Sequence, residues 1–298
     1  MLDIRVVTEL HEAENLWRKI SPQRVIFDDW DFRYCFYKDE MQPLSFRAAY
    51  EVNGSHEELV GLMPLVEYPE FGYGFFAEEP CEENRVFTKS GHDIVVKKIY
   101  ESLSGKTQFY DISGEDEYTK SLILEDYKYV LPLIGFKNFN DFVSARLSPK
   151  RRHSLGKELA AIENLRPEIV IDDFSDLDNL FKLNIKSFAD ESYLSKEEER
   201  QPWRELIKMS FNWRLISLRL NGQTVAVSLG VVYGDYYHYL LTGVDFASYP
   251  GLGKYLNKIS IEEAIKMGAK YFDAGLGDCG WKHLWHFDAQ PQYEFVNF

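Results

Sequence analysis

Between Tyr239 and Lys282 the chain sets glycines, acids and a lysine at the ends of apolar runs. The order is Tyr239-Leu-Leu-Thr-Gly-Val-Asp245, then Tyr249-Pro-Gly-Leu-Gly-Lys254 and a helical run to Met267. Lys270-Tyr-Phe-Asp-Ala-Gly-Leu-Gly-Asp278 and Trp281-Lys282 follow. Strand, glycine turn, helix, strand and second glycine turn describe a parallel βαβ unit. Gly251 and Gly253 let a backbone approach a ligand with no Cβ in the way. The first amides of a helix opening near Leu252 favour an anion such as a pyrophosphate, and Lys254 adds a positive charge. The competing use of this turn is a left-handed helix cap.

Asp273 ends the second strand and Asp278 sits on the following loop. Either carboxylate can serve as a base toward an amine or hydroxyl. Asp273 has a competing use, holding backbone amides of the glycine turn. Lys282 can pair with Asp278 or stabilise charge on a reacting carbonyl or phosphate. Trp281 and Trp285 either wall a pocket or belong to the core.

Other patterns here carry less. Gly275-Leu-Gly277-Asp-Cys-Gly280 matches GxGxxG after a strand. A dinucleotide fold then needs a helix, a strand and an acid about 20 residues on, and only 18 residues follow Gly280. Cys279, His283 and His286 lack the spacing and the fourth ligand of a zinc site, so no metal is expected. Lys150, Arg151, Arg152, His153 and Lys157 form a basic run in an acidic chain. It is either an anion site or a solvated helix face.

The elements that must position these groups recur. Ser45–Gly54 followed by Leu59–Val66, and Arg214–Gly222 followed by Thr224–Val232, both read as strand, Asn-Gly turn and strand. The first copy has extra residues after Gly54, which predicts a longer turn. Helices are expected over Glu9–Ile20 and Phe32–Lys38 before the first hairpin, and over Leu177–Ser187 and Lys196–Met209 before the second. The repeated order suggests a duplicated fold. A short helix over Phe136–Val143 marks the junction. A longer helix then opens with Ser148 as N-cap and Pro149 at its first position, its apolar face formed by Leu155, Leu159 and Ile162.

The 298 residues are 45% hydrophobic, enough for the cores of two domains. A net charge of −14 argues against nucleic acid or anionic lipid as a partner. Three scattered cysteines, Cys35, Cys81 and Cys279, form no disulfide framework and suit a reducing cytoplasm. The N-terminus is too charged for a signal peptide, and no apolar run approaches the roughly 20 residues that span a bilayer. Oligomeric state is left open.

From 150 to 287 the chain resembles the GNAT acyl-CoA N-acyltransferase superfamily. More closely, it is similar to the BioF2-like, CelD-like branch related to the FemABX peptidyltransferases. The residues that carry this are Pro250-Gly251, Ala264-Ile-Lys-Met-Gly268, Phe272-Asp273, Gly275, Gly277-Asp278, Lys282 and Trp285. The resemblance implies an α/β fold of tandem GNAT-like domains, each a mixed twisted sheet flanked by helices. The first, degenerate, would cover 1–145 and the second 146–298. It implies that Gly251, Leu252, Gly253, Lys254 and Tyr255 line the pyrophosphate of an acyl-CoA, acetyl-CoA first among them. Asp273, Asp278 and Lys282 would lie near the acceptor, an amine of a small molecule or cell-envelope precursor. Two positions depart from the pattern. Ser248 stands where the phosphate turn has Gln or Arg, and Trp281 where the branch has Tyr before its lysine. The expected activity is direct acyl transfer. The alternatives are a FemABX-like transfer from aminoacyl-tRNA and a ligand-binding module without turnover.

Overall fold

The computed structural model describes residues 1–38, 42–68, 72–114, 116–189 and 192–297. The chain forms two compact units, Met1–Lys128 together with the segment from Gln290, and Tyr129–Ala289. The division therefore falls ahead of the junction expected at 145/146. The apolar residues just past it explain why, since Leu131 and Leu133 are buried with Phe272 and Trp285 in the second unit's core.

In the first unit β1 (Leu2–Val7) leads into α1 (Leu10–Ile20) and the short α2 (Trp30–Tyr34). The second helix starts earlier than expected because the Asp29 side chain caps it, accepting from the amides of Asp31 and Phe32. Next come β2 (Phe46–Asn53), β3 (His56–Met63), β4 (Leu65–Tyr68), β5 (Gly72–Phe75), β6 (Phe87–Thr88), α3 (Asp93–Glu101), β7 (Thr107–Ser113) and β8 (Ile123–Pro132). The strand order is β1-β2-β3-β6 in one sheet. The β2–β3 turn is tight, with Asn53 opposite His56, and not the longer one expected. The residues counted as loop, His56 to Glu58, instead extend β3 as an exposed polar end. A second set of strands runs β4-β5-β7, with β5 parallel to β7.

This unit's core joins Val60, Met63, Phe75, Ile99 and Phe109. Trp17 contributes a T-shaped contact to Phe87 and donates its indole N–H to Asp28 O at 2.8 Å. A buried ionic network accompanies it. Lys128 and Arg85 pair with Glu83, and Arg33 donates to the carbonyls of Phe27, Phe76 and Glu83. Such charges are stable inside because each is ion-paired or hydrogen-bonded.

The second unit opens with α4 (Phe139–Arg146) and α5 (Pro149–Glu163). Asn138 caps α4 by accepting from Asp141 N, which sets its start later than expected. Ser148 Oγ accepts from Arg151 N at 3.3 Å and Pro149 occupies the first turn of α5. Ser148→Ala should cost about 1 kcal/mol, and urea unfolding that left stability unchanged would refute that capping role. Then follow β9 (Glu168–Ile171), α6 (Leu177–Phe188), α7 (Glu197–Leu206), β10 (Asn212–Leu220), β11 (Gln223–Tyr233), β12 (Tyr236–Val244), α8 (Leu252–Lys266) and β13 (Tyr271–Leu276). The last strand, β14 (Asp288–Asn297), pairs antiparallel with β7 of the first unit over Gln292–Asn297.

Within the second unit the strand order is β13-β12-β11-β10-β9. All neighbours are antiparallel except β12 and β13. Two-residue periodicity assigns the faces of this sheet. Val227, Leu229 and Val231 of β11 stand opposite Gly243, Leu241 and His238 of β12, on one face. Gly230 and Ser228 stand opposite Tyr239 and Thr242, on the other. Helix α8 covers the second face, burying Leu252, Leu256 and Ile259 against Leu218 and Ala226. Helix α6 lies against β12 on the first face, where Asn184 Nδ2 donates to Thr242 O and Ser187 Oγ to Val244 O, both at 2.7 Å. The two units share the order strand, two helices, hairpin, then a helix ahead of a parallel strand. No helix among the described residues is long and apolar enough to cross a membrane.

Candidate active site at a strand fork

Strands β12 and β13 pair only at Tyr236 with Tyr271, Tyr237 with Phe272 and His238 with Asp273. Past that point β12 runs on to Val244 and β13 to Leu276, and among the described residues their ladder has ended. Two local features drive them apart. Strand β12 carries a bulge at Leu240, because Leu229 faces Leu241 while Gly230 faces Tyr239. A bulge bends its strand and raises its twist. On the other side, Gly275 adopts φ +74° and Gly277 φ +65°, a left-handed turn open to glycine. The result is a parallel pair that forks, with backbone groups released from pairing on its inner edges.

The two faces of the fork differ. On one, Tyr237 and Phe272 stack at 5.3 Å and are buried with Phe139, Phe142, Ile261 and Trp285. On the other, His238 and Asp273 meet at the last paired position, His238 Nδ1 standing 3.0 Å from Asp273 Oδ2. His238 is 1% exposed and Asp273 2%. The other Asp273 oxygen accepts from Gly275 N at 3.0 Å, giving that amide an acceptor where the ladder has ended. Rings of Tyr236 and Tyr271 stack 4.9 Å apart on this face, and Tyr236 also stacks on His238.

The remaining expected acceptor-side residues have defined places. Lys282 is buried, its Nζ donating to Gly275 O at 3.0 Å and Leu276 O at 2.7 Å, so its charge caps the end of β13. Asp278 accepts from His283 N at 2.7 Å and lies 2.5 Å from His283 Nδ1. Burial alone would raise the Asp278 carboxyl, but the His283 contacts hold it below the ordinary range. Among the described residues no three potential metal ligands gather. Trp285 is fully buried beside Phe139 and Phe142, and Trp281 packs edge-on against it, so both serve the core.

At the start of α8, Gly251 takes φ +90°. A Cβ there would meet only Ile162 Cγ1 at 3.8 Å and Glu158 O at 4.0 Å, so the turn needs glycine for its dihedral angle rather than for space. Leu252 N donates to Tyr249 O, and the Leu252 and Tyr255 side chains point into the core. The first-turn donors beyond Leu252 are the amides of Gly253 and Lys254. Phe246, 52% exposed, lies over Gly253, where a Cβ would come within 2.8 Å of its ring. Lys254 pairs with Glu158 of α5. The turn thus offers two amides and one cation already shared with a carboxylate.

A forked parallel pair with a bulged strand and a helix opening on a glycine turn is a fold-level signature, and the sequence bears it out. Residues 149–283 match the family model described as acetyltransferase (GNAT) domain. The second unit is a GNAT domain. Solved structures extend the likeness over the whole chain. FemX superposes with a TM-score of 0.63 at 11% identity, covering 99% of this chain and 96% of that one. L-PGS from Bacillus licheniformis gives 0.54 at 12%, covering 96% and 91%. A tandem GNAT protein from the clavulanic acid biosynthesis pathway gives 0.51 at 8%, covering 99% and 98%. At such identities these likenesses speak for the fold alone. No curated protein sequence matches the chain.

Sequence reasoning had passed over His238 in this GNAT domain. It stands alone among Tyr236, Tyr237 and Tyr239 in a buried strand. A single imidazole in such a strand, in register with the Asp of Phe272-Asp273, was the available signal.

Proposed function

We propose that the second unit transfers an acyl group from an acyl-CoA thioester directly to an amine in a ternary complex. The fork between β12 and β13 is the observation that carries this reading, because it frees strand amides to hold a thioester carbonyl. Gly251, Leu252, Gly253, Lys254 and Tyr255 form the phosphate turn in this reading. The amides of Gly253 and Lys254 take the pyrophosphate while the side chains of Leu252 and Tyr255 fix the helix start. Lys254 turns from Glu158 toward the phosphates. Asp273, Asp278 and Lys282 build the acceptor side, with Lys282 locking the carbonyls of Gly275 and Leu276 in place. The likeness to FemX and L-PGS favours an amine on a cell-envelope precursor, acylated in the cytoplasm. Within the superfamily the BioF2-like, CelD-like branch fits the motif best.

Acetyl-CoA at millimolar concentration should raise the melting temperature, since a ligand at 100 times its Kd adds about 2.7 kcal/mol to folded-state stability. Gly251→Glu should abolish that shift. It brings a carboxylate to the phosphate turn and pays roughly 1–2 kcal/mol for a side chain in left-handed backbone. The comparison is therefore between each protein with and without ligand. A folded wild type that acetyl-CoA leaves unshifted would reject this donor.

One observation favours a second reading. Glu158 brings a carboxylate to the helix start where a diphosphate would sit, which suits a FemABX-like transfer from aminoacyl-tRNA. The net charge of −14 opposes it. A tRNA gel shift that weakens steeply with salt would support that reading. Stabilisation by acetyl-CoA with no thiol release toward any amine would instead make the unit a binding module.

A further inference from the structure

We propose that Glu158 sets the affinity of the phosphate turn by standing in for a diphosphate on Lys254, and that Arg151 receives Glu158 when the ligand arrives. This rests on the acyl-transfer reading and names the residues that tune its donor site. The basic run at the start of α5 is the point of departure. Lys150, His153 and Lys157 are exposed, and Arg152 donates to Ser144 O at 3.1 Å. Arg151 behaves differently. Its Nε and Nη2 are shut off from solvent, and among the described residues nothing accepts a hydrogen bond from either. A guanidinium cannot shed its proton to escape this, and a buried charge is costly until it is paired.

Helical residues seven apart lie on one face, since two turns take about 7.2 residues. Arg151 and Glu158 therefore share a stripe of α5 that continues to Ile162. That stripe faces the start of α8. Ile162 is buried with Leu252 and Tyr255, and Glu158 O lies 4.0 Å from where a Cβ on Gly251 would stand. Glu158 is thus at the phosphate turn, and Arg151 is two turns behind it, about 10 Å along the axis.

Glu158 Oε2 pairs with Lys254, and Oε1 accepts from Ser154 Oγ at 3.3 Å. Burial alone would raise this carboxyl, but Lys254, Ser154 and Arg151 together hold it below the ordinary range. Arg151 therefore lies within electrostatic reach, and one carboxylate serves two cations. The Glu158 and Lys254 side chains are 32% and 35% exposed, so a ligand meets this pair from solvent.

A diphosphate on the amides of Gly253 and Lys254 draws the Lys254 ammonium to itself. Glu158 is then left beside a like charge with no cation. Arg151 removes the conflict. Glu158 already leans toward it, because helical side chains tilt to the amino terminus. The two unused N–H groups of Arg151 suit a carboxylate in a forked, charge-assisted contact. The step is an exchange of ion pairs along one face of α5, Lys254 passing to phosphate and Glu158 to Arg151. Arg151 does not itself hold phosphate in this arrangement, since its buried nitrogens sit two turns from the glycine turn.

The test uses the full chain and isothermal titration with two probes, acetyl-CoA and inorganic pyrophosphate. Glu158→Gln keeps the size of the side chain and an acceptor for Ser154. It should bind both probes about 2- to 5-fold more tightly than wild type, the range of a part-exposed ion pair that no longer has to break. In a Lys254→Met background that gain should largely vanish. Arg151→Met retains the buried stem and removes the charge. It should weaken both probes by a similar factor in wild type and leave binding to Glu158→Gln unchanged, a coupling that only a double-mutant cycle reveals. Unchanged affinity in folded Glu158→Gln would overturn the proposal, as would an equal gain with and without Lys254. An equal loss from Arg151→Met in both backgrounds would overturn the handover, because it would make Arg151 a direct phosphate ligand. Pyrophosphate binding that shows these couplings, with no binding of acetyl-CoA, would overturn the acyl-CoA donor and uphold the exchange. Binding of neither probe by wild type or Glu158→Gln would overturn both.

Discussion

Replacing Gly243 with alanine should cost about 3–5 kcal/mol and loosen α6 from the sheet. Gly243 lies in β12 opposite Val227. A Cβ there would fall 2.6 Å from Asn184 N and Leu180 O and 2.7 Å from Leu183 Cβ. Two of these are helix backbone atoms, which no rotamer change can move. The helix would have to withdraw by roughly 1 Å to restore an ordinary contact. Withdrawal stretches the two clasps, Asn184 to Thr242 O and Ser187 to Val244 O, that hold it now. Overpacking costs about 1–3 kcal/mol and each lost hydrogen bond about 1. Urea unfolding measures the total, and a change under 1 kcal/mol would mean that α6 does not bear on β12 this closely.

Stability should also fall as pH rises from 5 to 8, against the common pattern in which carboxylates favour neutral conditions. Burial pushes the Glu78 carboxyl from 4.5 up to about 7, with Glu79 adding to it. Burial likewise pushes Asp111 from 3.8 up to about 7, reinforced by Glu125, Glu82 and Glu78. Both groups hold a proton more tightly folded than unfolded. Between their unfolded values and about pH 7 the folded state carries the extra protons, and stability declines through that window. Each unit of difference is about 1.4 kcal/mol. Both side chains are partly exposed and feel each other's charge, so about 2–3 kcal/mol for the pair is the expected loss after screening. Acids held below their ordinary range, such as Asp173, Asp176 and Asp278, act at lower pH and leave this window alone. Glu78→Gln should leave stability at pH 5 nearly unchanged and raise it by about 1 kcal/mol at pH 8. Its amide oxygen can still accept from Phe75 N, as the carboxylate does now. A urea series that stayed level from pH 5 to 8 would contradict the assignment.

The βαβ core of the GNAT domain was legible because its signals are local. The Tyr-rich run, the positive-φ glycine at 251 and the apolar face of α8 each sit within a few residues of what they specify. The cap at Ser148 was legible for the same reason. Helices α2 and α4 were misplaced by a few residues because Asp29 and Asn138 compete as caps with the apolar residues around them. Side-chain use was harder to read. Lys254 and Glu158 are far apart in sequence and meet only when α5 packs on α8. Lys282 turned to carbonyls because β13 ends on two left-handed glycines, a fact of backbone path rather than composition. The contact of His238 with Asp273 depends on register, since it is the pairing of β12 with β13 that sets the two residues opposite each other.

The position of β14 has a bearing on how the chain comes to be folded. Residues 292–297 supply the neighbour for β7, and Phe295 packs against Phe109 and Tyr100. During synthesis the amino-terminal unit therefore waits for residues 292–297 before this part of its core can close. The GNAT domain meets no such delay, since all of Tyr129–Ala289 emerges earlier. The half made second is thus equipped to mature first, and a ribosome stalled near residue 290 would present a complete second unit tethered to a first unit still short of one strand.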